Sequence, residues 1–284
     1  MHIAVIGSNG QLGTDISRLM QKNHKISTLT HQDIEIADID SVSRILSHLH
    51  PDVVINTAAC HHLPLCEDNP ELAFRVNALG AMNLAKVSDE LGAVLVHYST
   101  DYVFDGKKRQ PYLESDKTNP LNIYALTKLD GEILVRNTTR RHFVLRISGI
   151  YGKTVSRAKG KNFITMMQQL AREKEVVKVV DDEILTPTPV SAIAMNTEKL
   201  LETEAFGIYH MTCEGACSWF DFAGVIFEEL HLKTPLISCK SSEFPAAVKR
   251  PFYSVLENKK LASISLNFMP HWKAALIDFL KNER

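Results

Sequence analysis

The sequence has little net charge, few cysteines and no long apolar run. Its 32 lysine and arginine residues nearly balance 33 aspartate and glutamate residues, which leaves a formal net charge of −1. This balance argues against a nucleic-acid partner, because such a partner selects a basic surface. No segment approaches the roughly 20 apolar residues of a membrane span. We therefore expect a globular protein with no nucleic-acid and no membrane partner.

Two further absences bear on the cellular compartment. The first seven residues lack the basic stretch, apolar core and small-residue cleavage site of a signal peptide. The five cysteines are odd in number and too sparse for a secreted disulfide scaffold. We expect a cytoplasmic location, with the cysteines as small buried hydrophobic residues. The spacing around His61 and His62 matches neither CxxC nor HExxH zinc sites, so we predict no metal site and expect these histidines at the rim of a pocket.

The first half of the chain has the pattern of a parallel sheet. Short β-branched apolar runs alternate with segments of helical period, which is typical of βαβ units. The predicted strands are Ile3–Ile6, Ile26–Leu29, Ile34–Ile36, Val53–Asn56, Val94–Tyr98 and Phe143–Ile147. The predicted helices are Leu12–Gln21, Ser41–Leu49, Pro70–Leu91 and Tyr124–Val135. We predict an α/β protein with a Rossmann-type, doubly wound parallel sheet.

The pattern changes after about Gly152. The features predicted beyond it are a loop, a helix, a strand, a helix opened by a capping box and a closing helix, at Lys153–Lys161, Phe163–Lys174, Val176–Val180, Ser218–Leu230 and Pro270–Leu280. We expect residues 1–152 to form an NAD(P)-binding domain. Residues 153–284 are expected to form mainly a smaller substrate-binding lobe, with the chain free to cross between the two.

A glycine-rich turn follows the first predicted strand and opens the first predicted helix. Gly7, Gly10 and Gly13 have GxxGxxG spacing rather than the commoner GxGxxG. Glycine at the carboxyl end of a strand lets the backbone approach a pyrophosphate, whose charge then meets the N–H groups at the helix N-terminus. The turn alone is equally compatible with a structural corner between strand and helix.

Tyr124 and Lys128 lie four residues apart, on one face of a predicted helix. A phenol is a poor acid–base catalyst at neutral pH, and a nearby ammonium lowers its pKa toward the working range. Ser99 and Thr100 follow a predicted strand at the edge of the sheet where ligands of such folds bind, so a hydroxyl there is able to hold a substrate carbonyl oxygen. The YxxxK spacing alone more often marks an exposed amphipathic helix, and its conjunction with the glycine turn favours catalysis.

Together these motifs resemble the extended short-chain dehydrogenases/reductases and, more closely, the dTDP-4-dehydrorhamnose reductases. The stretches that carry the resemblance are Gly7–Gly13, Asn56–Ala59, Val76–Gly80, Ser99–Gly106, Pro120–Tyr124, Lys161–Phe163, Pro187–Thr188, Ser218–Trp219 and Lys249–Pro251. The resemblance implies NAD(P)H-dependent reduction of the 4-keto group of dTDP-4-dehydro-L-rhamnose to dTDP-L-rhamnose, a precursor of cell-surface polysaccharide. The implied partner is thus a dTDP-sugar, and the chain is expected to be a monomer or homodimer.

The resemblance also implies roles for individual residues. The implied catalytic residues are Thr100, Tyr124 and Lys128. The implied cofactor-binding residues are Gly7, Asn9, Gly10, Gln11, Leu12, Gly13, Thr30, Glu35, Ile36, Ala58, Ala59, Asn77, Tyr124 and Lys128. The implied substrate-binding residues are Ser99, Thr100, Asp101, Tyr102, Asn162 and Arg250. In the implied reaction, Tyr124 protonates the alkoxide formed at sugar C4, Thr100 hydrogen-bonds it, and Lys128 holds the nicotinamide ribose and tunes Tyr124.

The cofactor preference and the sugar are less sharply specified. Asp33 comes late after the second predicted strand, so no carboxylate obviously repels a 2′-phosphate, which favours NADPH with NADH tolerated. Ala125, Gly149 and Leu185 depart from the family, which usually has Gly, Trp and Gly there. The missing indole at Gly149 either enlarges the pocket or leaves another side chain to fill it.

Two alternatives stay open. The chain is compatible with a reductase or epimerase acting on another keto-sugar nucleotide. It is also compatible with a non-catalytic NADP-binding regulatory subunit, because the regulatory subunit of eukaryotic methionine adenosyltransferase resembles this family. Dehydration is disfavoured, since Thr100 is followed by Asp101 and Tyr102 rather than by an Asp-Glu pair.

Overall fold

The computed structural model describes residues 1–154, 160, 162–244 and 248–282. Most of the predicted loop Lys153–Lys161, including Lys161 itself, lies outside the described residues. Across the described part of the chain, no helix is long and apolar enough to cross a membrane.

The strands and helices alternate through the first half of the chain. In chain order the strands are β1 His2–Ile6, β2 Lys25–Leu29, β3 Val53–Asn56, β4 Val94–Thr100, β5 His142–Ile147, β6 Ile150–Tyr151, β7 Val177–Val180, β8 Ile184–Leu185, β9 Thr188–Pro189, β10 Gly207–His210, β11 Cys217–Ser218 and β12 Leu236–Cys239. The α-helices are α1 Gln11–Met20, α2 Ile39–Leu49, α3 Leu63–Asp68, α4 Pro70–Phe74, α5 Gly80–Glu90, α6 Ile123–Thr138, α7 Phe163–Glu173, α8 Val190–Leu200, α9 Trp219–Glu229, α10 Lys259–Ser263 and α11 Trp272–Asn282.

A parallel sheet of six strands forms the centre, in the order β10-β5-β4-β3-β1-β2. Apolar side chains of α1 and α8 pack on one face, and those of α2, α5 and α6 pack on the other. The predicted α/β class and doubly wound parallel sheet are confirmed. The strand order reverses between β1 and β3, and ligands of such folds bind at the carboxyl ends of the strands beside a reversal of this kind.

The prediction of one strand is wrong, and a different segment provides the sixth strand of the sheet. Ile34–Ile36 has irregular structure that leads into a turn, although Ile34 and Ile36 are only 2% and 5% exposed. Their side chains pack into the core beside α2 and α5, so burial produced the apolar signal without strand pairing. The sixth strand is β10, which pairs with β5 and comes from beyond residue 152.

The helix predicted at Pro70–Leu91 is interrupted. Between α4 and α5 the chain makes a π-helical turn over Arg75–Leu79. The neighbouring helix α6 comes close at this turn, because a Cβ atom at Gly131 would collide with the carbonyl oxygen of Asn77. Glycine therefore permits the contact between α6 and the π turn, and π turns of this kind are common near functional sites.

The later part of the chain builds a second hydrophobic cluster. Helices α7, α9 and α11 pack together there, and three two-stranded pairs join β6 to β9, β7 to β12 and β8 to β11. The predicted capping box is present, since the Ser218 hydroxyl accepts from the Asp221 N–H at 3.0 Å and the Asp221 carboxylate accepts from the Ser218 N–H at 2.9 Å. The predicted elements at Phe163–Lys174 and Val176–Val180 are confirmed to within one residue.

Candidate active site

A cavity of about 1980 Å³ lies between the carboxyl ends of the central strands and the second cluster. A typical small-molecule pocket has roughly 300–1000 Å³, so this one has room for two ligands. Most of the predicted site residues line it: Gly7, Asn9, Gly10, Gln11, Leu12, Thr30, Glu35, Ile36, Ala58, Ala59, Ser99, Thr100, Asp101, Tyr102, Tyr124, Lys128, Asn162 and Arg250. His61 and His62 line it too, as expected for a pocket rim.

One end of the cavity is built from the glycine turn, and we call it the dinucleotide end. Gly7 has a φ of +74°, and a Cβ atom there would lie 2.8 Å from the backbone nitrogen of Ala58. Gly10 is the N-cap of α1 and no side chain caps this helix, whose first turn also carries no acidic residue. The first N–H groups of α1 are thus available to an anion.

Two residues predicted to bind the cofactor lie behind the cavity wall. Gly13 packs α1 against the turn, because a Cβ atom there would lie 2.5 Å from the carbonyl oxygen of Gly7. Asn77 is buried, and its side chain exchanges hydrogen bonds of 2.9 Å with the backbone N–H and carbonyl of Cys60. It also donates to the Thr127 hydroxyl at 3.0 Å. Asn77 therefore ties α6 to the loop after β3 rather than lining the cavity.

The end of β2 forms a polar turn. The N–H and hydroxyl of Thr30 donate to the Asp33 carboxylate at 2.8 and 2.7 Å, and these bonds lower the pKa of Asp33. The Glu35 carboxylate accepts from the backbone N–H of Ala37 at 2.9 Å, and its second oxygen lies 3.5 Å from His31 Nδ1. Asp33, the acid nearest to β2, thus accepts hydrogen bonds from Thr30.

Tyr124 stands in the first turn of α6, and the residues before it fix that position. The Asn122 side-chain oxygen accepts from the Ala125 N–H at 2.8 Å, which caps the helix. The Asn122 amide group also donates to the Lys249 carbonyl at 2.9 Å. The same asparagine therefore sets the start of α6 and holds the segment that carries Arg250.

The hydroxyl groups of Thr100 and Tyr124 hydrogen-bond to each other. The Tyr102 ring meets the Tyr124 ring edge to face, with 6.3 Å between centroids. Burial raises the pKa of Tyr124, and the bond with Thr100 opposes only part of this rise. The expectation that Lys128 brings this pKa toward neutrality is therefore wrong for the protein by itself, because desolvation of the phenolate outweighs the other effects.

Lys128 lies one helical turn beyond Tyr124 and is only 2% exposed. Its Nζ atom is 3.3 Å from Nε2 of His97, a residue with no exposed surface. Burial lowers the pKa of Lys128 to about 8, while the Glu132 carboxylate one turn further along α6 acts in the opposite direction. Lys128 thus loses its proton much closer to neutrality than an ordinary lysine does.

Ser99 and Thr100 differ in what their hydroxyls contact. The Ser99 hydroxyl donates to Glu132 at 2.5 Å, and the same carboxylate accepts from both Nε and a terminal nitrogen of Arg146. The Thr100 hydroxyl instead donates to Asp101 at 3.1 Å and meets Tyr124. Of the two, Thr100 is placed beside the phenol, whereas Ser99 anchors the wall behind it.

The other end of the cavity, which we call the substrate end, is lined by side chains of later loops. Its charged groups include Arg250 and Glu183, each of which affects the pKa of Tyr102. Burial raises the pKa of Glu183, and the Trp219 side chain hydrogen-bonds to its carboxylate. Asn162 is the N-cap of α7 and also donates to the Gly152 carbonyl at 3.1 Å.

Sequence reasoning missed Glu183 and His97. Glu183 follows the acidic pair after β7, at the cavity end of that strand, so its position offered a weak signal. His97 is a polar residue that directly follows the apolar start of β4, Val94–Val96, which also singles it out. The chemistry of both residues depends on neighbours that are distant in sequence.

Comparison with known proteins gives the family. The model for the RmlD substrate binding domain matches residues 1–284. The chain is 38% identical to the spore coat polysaccharide biosynthesis protein SpsK of Bacillus subtilis, over 98% of this chain and 96% of that one. It is 34% identical to the dTDP-4-dehydrorhamnose reductase of Burkholderia thailandensis, over 97% of each. The chain belongs to the RmlD family. The dTDP-4-dehydrorhamnose reductase of Bacillus anthracis, solved in complex with NADP, superposes with a TM-score of 0.94 at 34% identity, covering 99% of this chain and 98% of that one.

Gly149 and Leu185, two of the positions singled out by the sequence, are neighbours in space. Gly149 has a φ of +52°, and the Leu185 side chain lies 2.8 Å from the position of a Cβ atom there. Leu185 therefore occupies the space beside Gly149. Ala125 is buried on the inner face of α6.

Cys60 is an exception among the cysteines. Cys66, Cys213, Cys217 and Cys239 are buried as expected, whereas Cys60 is half-buried and lines the cavity. Its sulfur lies 3.5 Å from that of Cys66, and this hydrogen bond lowers the pKa of Cys60 to about 7. Among the residues that the structure describes, no group of three or more His, Cys, Asp or Glu side chains is placed to hold a metal ion.

Proposed function

We propose that this chain reduces the 4-keto group of dTDP-4-dehydro-L-rhamnose with NADPH, or with NADH, to give dTDP-L-rhamnose. Relatives named dTDP-4-dehydrorhamnose reductase align with almost the whole chain. The observation that carries the proposal is the pair of Thr100 and Tyr124 hydroxyls on the wall of a cavity that also receives the uncapped N-terminus of α1. A proton donor and a dinucleotide site thus share one cavity.

The dinucleotide end supports the cofactor part of the proposal. The backbone at Gly7 and Gly10 and the first N–H groups of α1 suit a pyrophosphate. Ala58 and Ala59, with Thr30, Glu35 and Ile36, would border the adenosine and nicotinamide portions. Asp33 accepts hydrogen bonds from Thr30 and is not among the cavity-lining residues, which favours NADPH over NADH. When bound, the reduced nicotinamide supplies the hydride.

Tyr124 is the proposed proton donor. Because burial raises its pKa, the phenol is protonated at neutral pH, and this is the form that a reduction needs. Thr100 would hydrogen-bond the ketone oxygen and stabilise the negative charge that develops on it. Lys128 would hold the nicotinamide ribose and place a positive charge one helical turn from Tyr124.

The substrate end suits a sugar nucleotide. We assign substrate binding mainly to the lobe after residue 152, where Arg250 offers a guanidinium to a pyrophosphate and Asn162 offers an amide. Tyr102 and Glu183 would contact the sugar. Ser99 and Asp101 make buried hydrogen bonds and would support the wall on which the substrate rests. A monomeric or homodimeric state and a cytoplasmic location remain predictions of the sequence.

The test is loss of reduced-nicotinamide absorbance when the protein is mixed with NADPH and dTDP-4-dehydro-L-rhamnose. We expect turnover by the native chain and its collapse in Tyr124→Phe, with NADPH binding retained by both. Turnover of a different keto-sugar only would change the substrate assignment. NADPH binding without oxidation in the presence of any keto-sugar nucleotide would favour the regulatory-subunit alternative.

A further inference from the structure

A chain of buried polar side chains lies behind Lys128. Asn56 at the end of β3, His97 on β4 and Lys128 on α6 are each at most 2% exposed. The Asn56 amide nitrogen is 3.1 Å from His97 Nδ1, and His97 Nε2 is 3.3 Å from Lys128 Nζ. Buried polar groups of this kind are costly unless their donors and acceptors match, so the direction of each bond matters.

The donor–acceptor direction of these hydrogen bonds is fixed at Asn56. The backbone N–H of Ala58 lies 3.1 Å from the Asn56 side-chain oxygen, and a backbone N–H is only a donor. The Asn56 oxygen therefore faces Ala58, and its amide group faces His97. That amide group is also only a donor, so His97 Nδ1 must accept.

A neutral imidazole carries one N–H, so an accepting Nδ1 places the proton on Nε2. His97 is neutral, since burial and the charge of Lys128 hold its pKa well below the usual value. The Nε2–H group of His97 therefore points at Lys128 Nζ. An ammonium has no lone pair to accept this bond, whereas a neutral amine has one.

We propose that His97 is a positioning residue for the reaction: held as the Nε2–H tautomer by Asn56, it orients Lys128 and makes that lysine lose its proton at a lower pH. The proposal rests on the proposed reductase function. The other ionisable groups around Lys128 are Glu132, which favours the ammonium, and Tyr124, one turn before it on α6. Because Ala58 lines the dinucleotide end, the chain of bonds joins that end to Lys128, one helical turn from the proton donor.

The tautomer is measured without any activity, by nitrogen NMR of ¹⁵N-histidine-labelled native protein. We expect His97 to show a protonated Nε2 and an unprotonated Nδ1 across the working pH range. Its signals are assigned by their loss in His97→Gln. A protonated Nδ1, or an imidazolium, would overturn the proposal.

The effect on Lys128 is measured as the pH dependence of kcat/KM. In His97→Gln, the side-chain carbonyl is able to accept from the Lys128 ammonium. We therefore expect the basic limb of the profile, where kcat/KM falls as the pH rises, to move to a pH that is higher by about one unit or more. His142→Gln is the matched control, because His142 is buried at the start of β5 and bonds to the Thr139 carbonyl. Coincident basic limbs in the native protein and His97→Gln would contradict the proposal.

Asn56→Asp provides a second variant if His97→Gln does not fold. A carboxylate at this position accepts from Ala58 and also from His97 Nδ1, which inverts the tautomer and gives the Lys128 ammonium an acceptor. We expect an Nδ1–H signal and an upward shift of the basic limb. An unchanged tautomer would count against the assigned role of Asn56.

The two proposals fail in different ways. If the native chain does not oxidise NADPH, the proposed function fails, while the nitrogen spectra and a ¹³Cε-lysine titration of Lys128 still decide the role of His97. If the native chain turns over normally and neither the tautomer nor the basic limb behaves as expected, only the inference about His97 fails.

Discussion

The two ends of the cavity are lined by different kinds of group, backbone at one end and side chains at the other. The dinucleotide end is made of backbone: Gly7 and Gly13 leave no room for a side chain, and the helix N-terminus after Gly10 provides the polar groups. The substrate end is made of side chains, among them Glu183 and Arg250, which later loops bring together. A backbone site depends on main-chain shape, and here glycines set that shape. A side-chain site changes with each substitution, so it sets which sugar is accepted.

The largest expected effect is at the junction of the two ends. Tyr124→Phe removes the proton donor and should lower kcat by about 10²–10⁴-fold, which is the range for loss of a general acid. The NADPH Kd should stay within about twofold, because the proposed cofactor contacts lie mainly at the dinucleotide end. Stopped-flow turnover and fluorescence titration measure the two quantities.

Tyr209→Phe is the matched control, since its hydroxyl bonds to the Ala205 carbonyl on the far side of the sheet. A kcat loss in Tyr124→Phe no greater than that of the control would remove Tyr124 from the chemistry.

The next effect is at the dinucleotide end. Gly13→Ala forces a methyl group against the Gly7 carbonyl, and overpacking of this kind costs about 1–3 kcal/mol. We expect NADPH affinity to fall by about tenfold or more, because the turn must shift to relieve the clash. Gly224→Ala in α9 is the control, since a Cβ atom there meets nothing within 4 Å. Equal NADPH affinity in the two variants would show that the backbone shape of the glycine turn does not determine NADPH affinity.

A smaller effect is expected at the substrate end. Leu185→Ala opens space over Gly149 and should raise the KM for the keto-sugar by about tenfold, since lost apolar contacts are worth about 1–3 kcal/mol. The NADPH Kd should not change. Leu200→Ala removes an equally buried leucine from α8 and should lower the melting temperature without raising this KM. A rise in KM for both variants would make the effect one of general stability.

The smallest effect is a pH dependence. Lys128 has a pKa of about 8, whereas burial keeps Tyr124 protonated well above that pH. As the pH rises through about 8, Lys128 loses its positive charge first, so kcat/KM should fall above this pH in the reductive direction. A profile that stays flat until the phenol itself ionises would show that the charge of Lys128 does not matter.

Local sequence patterns were enough to predict the dinucleotide end of the cavity. The strands β1 to β5, the helices α1, α2 and α6 and the glycine turn all have signals within a few residues, whereas α3 and the break between α4 and α5 were not predicted. The error at Ile34–Ile36 arose because buried turns and buried strands have the same apolar composition. The strand β10 was missed because its partner β5 lies about sixty residues earlier, and its own run of four residues is short.

The substrate end of the cavity was only partly predictable from the sequence. Motifs identified Tyr102, Asn162 and Arg250 as cavity residues, and all three line the cavity. The pKa of Tyr124 was predicted with the wrong sign, because sequence spacing indicates a neighbouring charge but not the depth of burial. The role of Asn77 was also not available from sequence, since its partners Cys60 and Thr127 lie 17 and 50 residues away.

The most direct test of the central claim is isotope transfer from NADPH carrying deuterium at the nicotinamide C4 position. The account predicts dTDP-L-rhamnose with one deuterium at sugar C4, formed in equal amount to oxidised cofactor, as seen by NMR and mass spectrometry of the product. With both nicotinamide C4 positions deuterated, product without deuterium at C4, or a sugar whose configuration changes while NADPH is not consumed, would contradict hydride transfer from this cofactor and with it the reductase assignment.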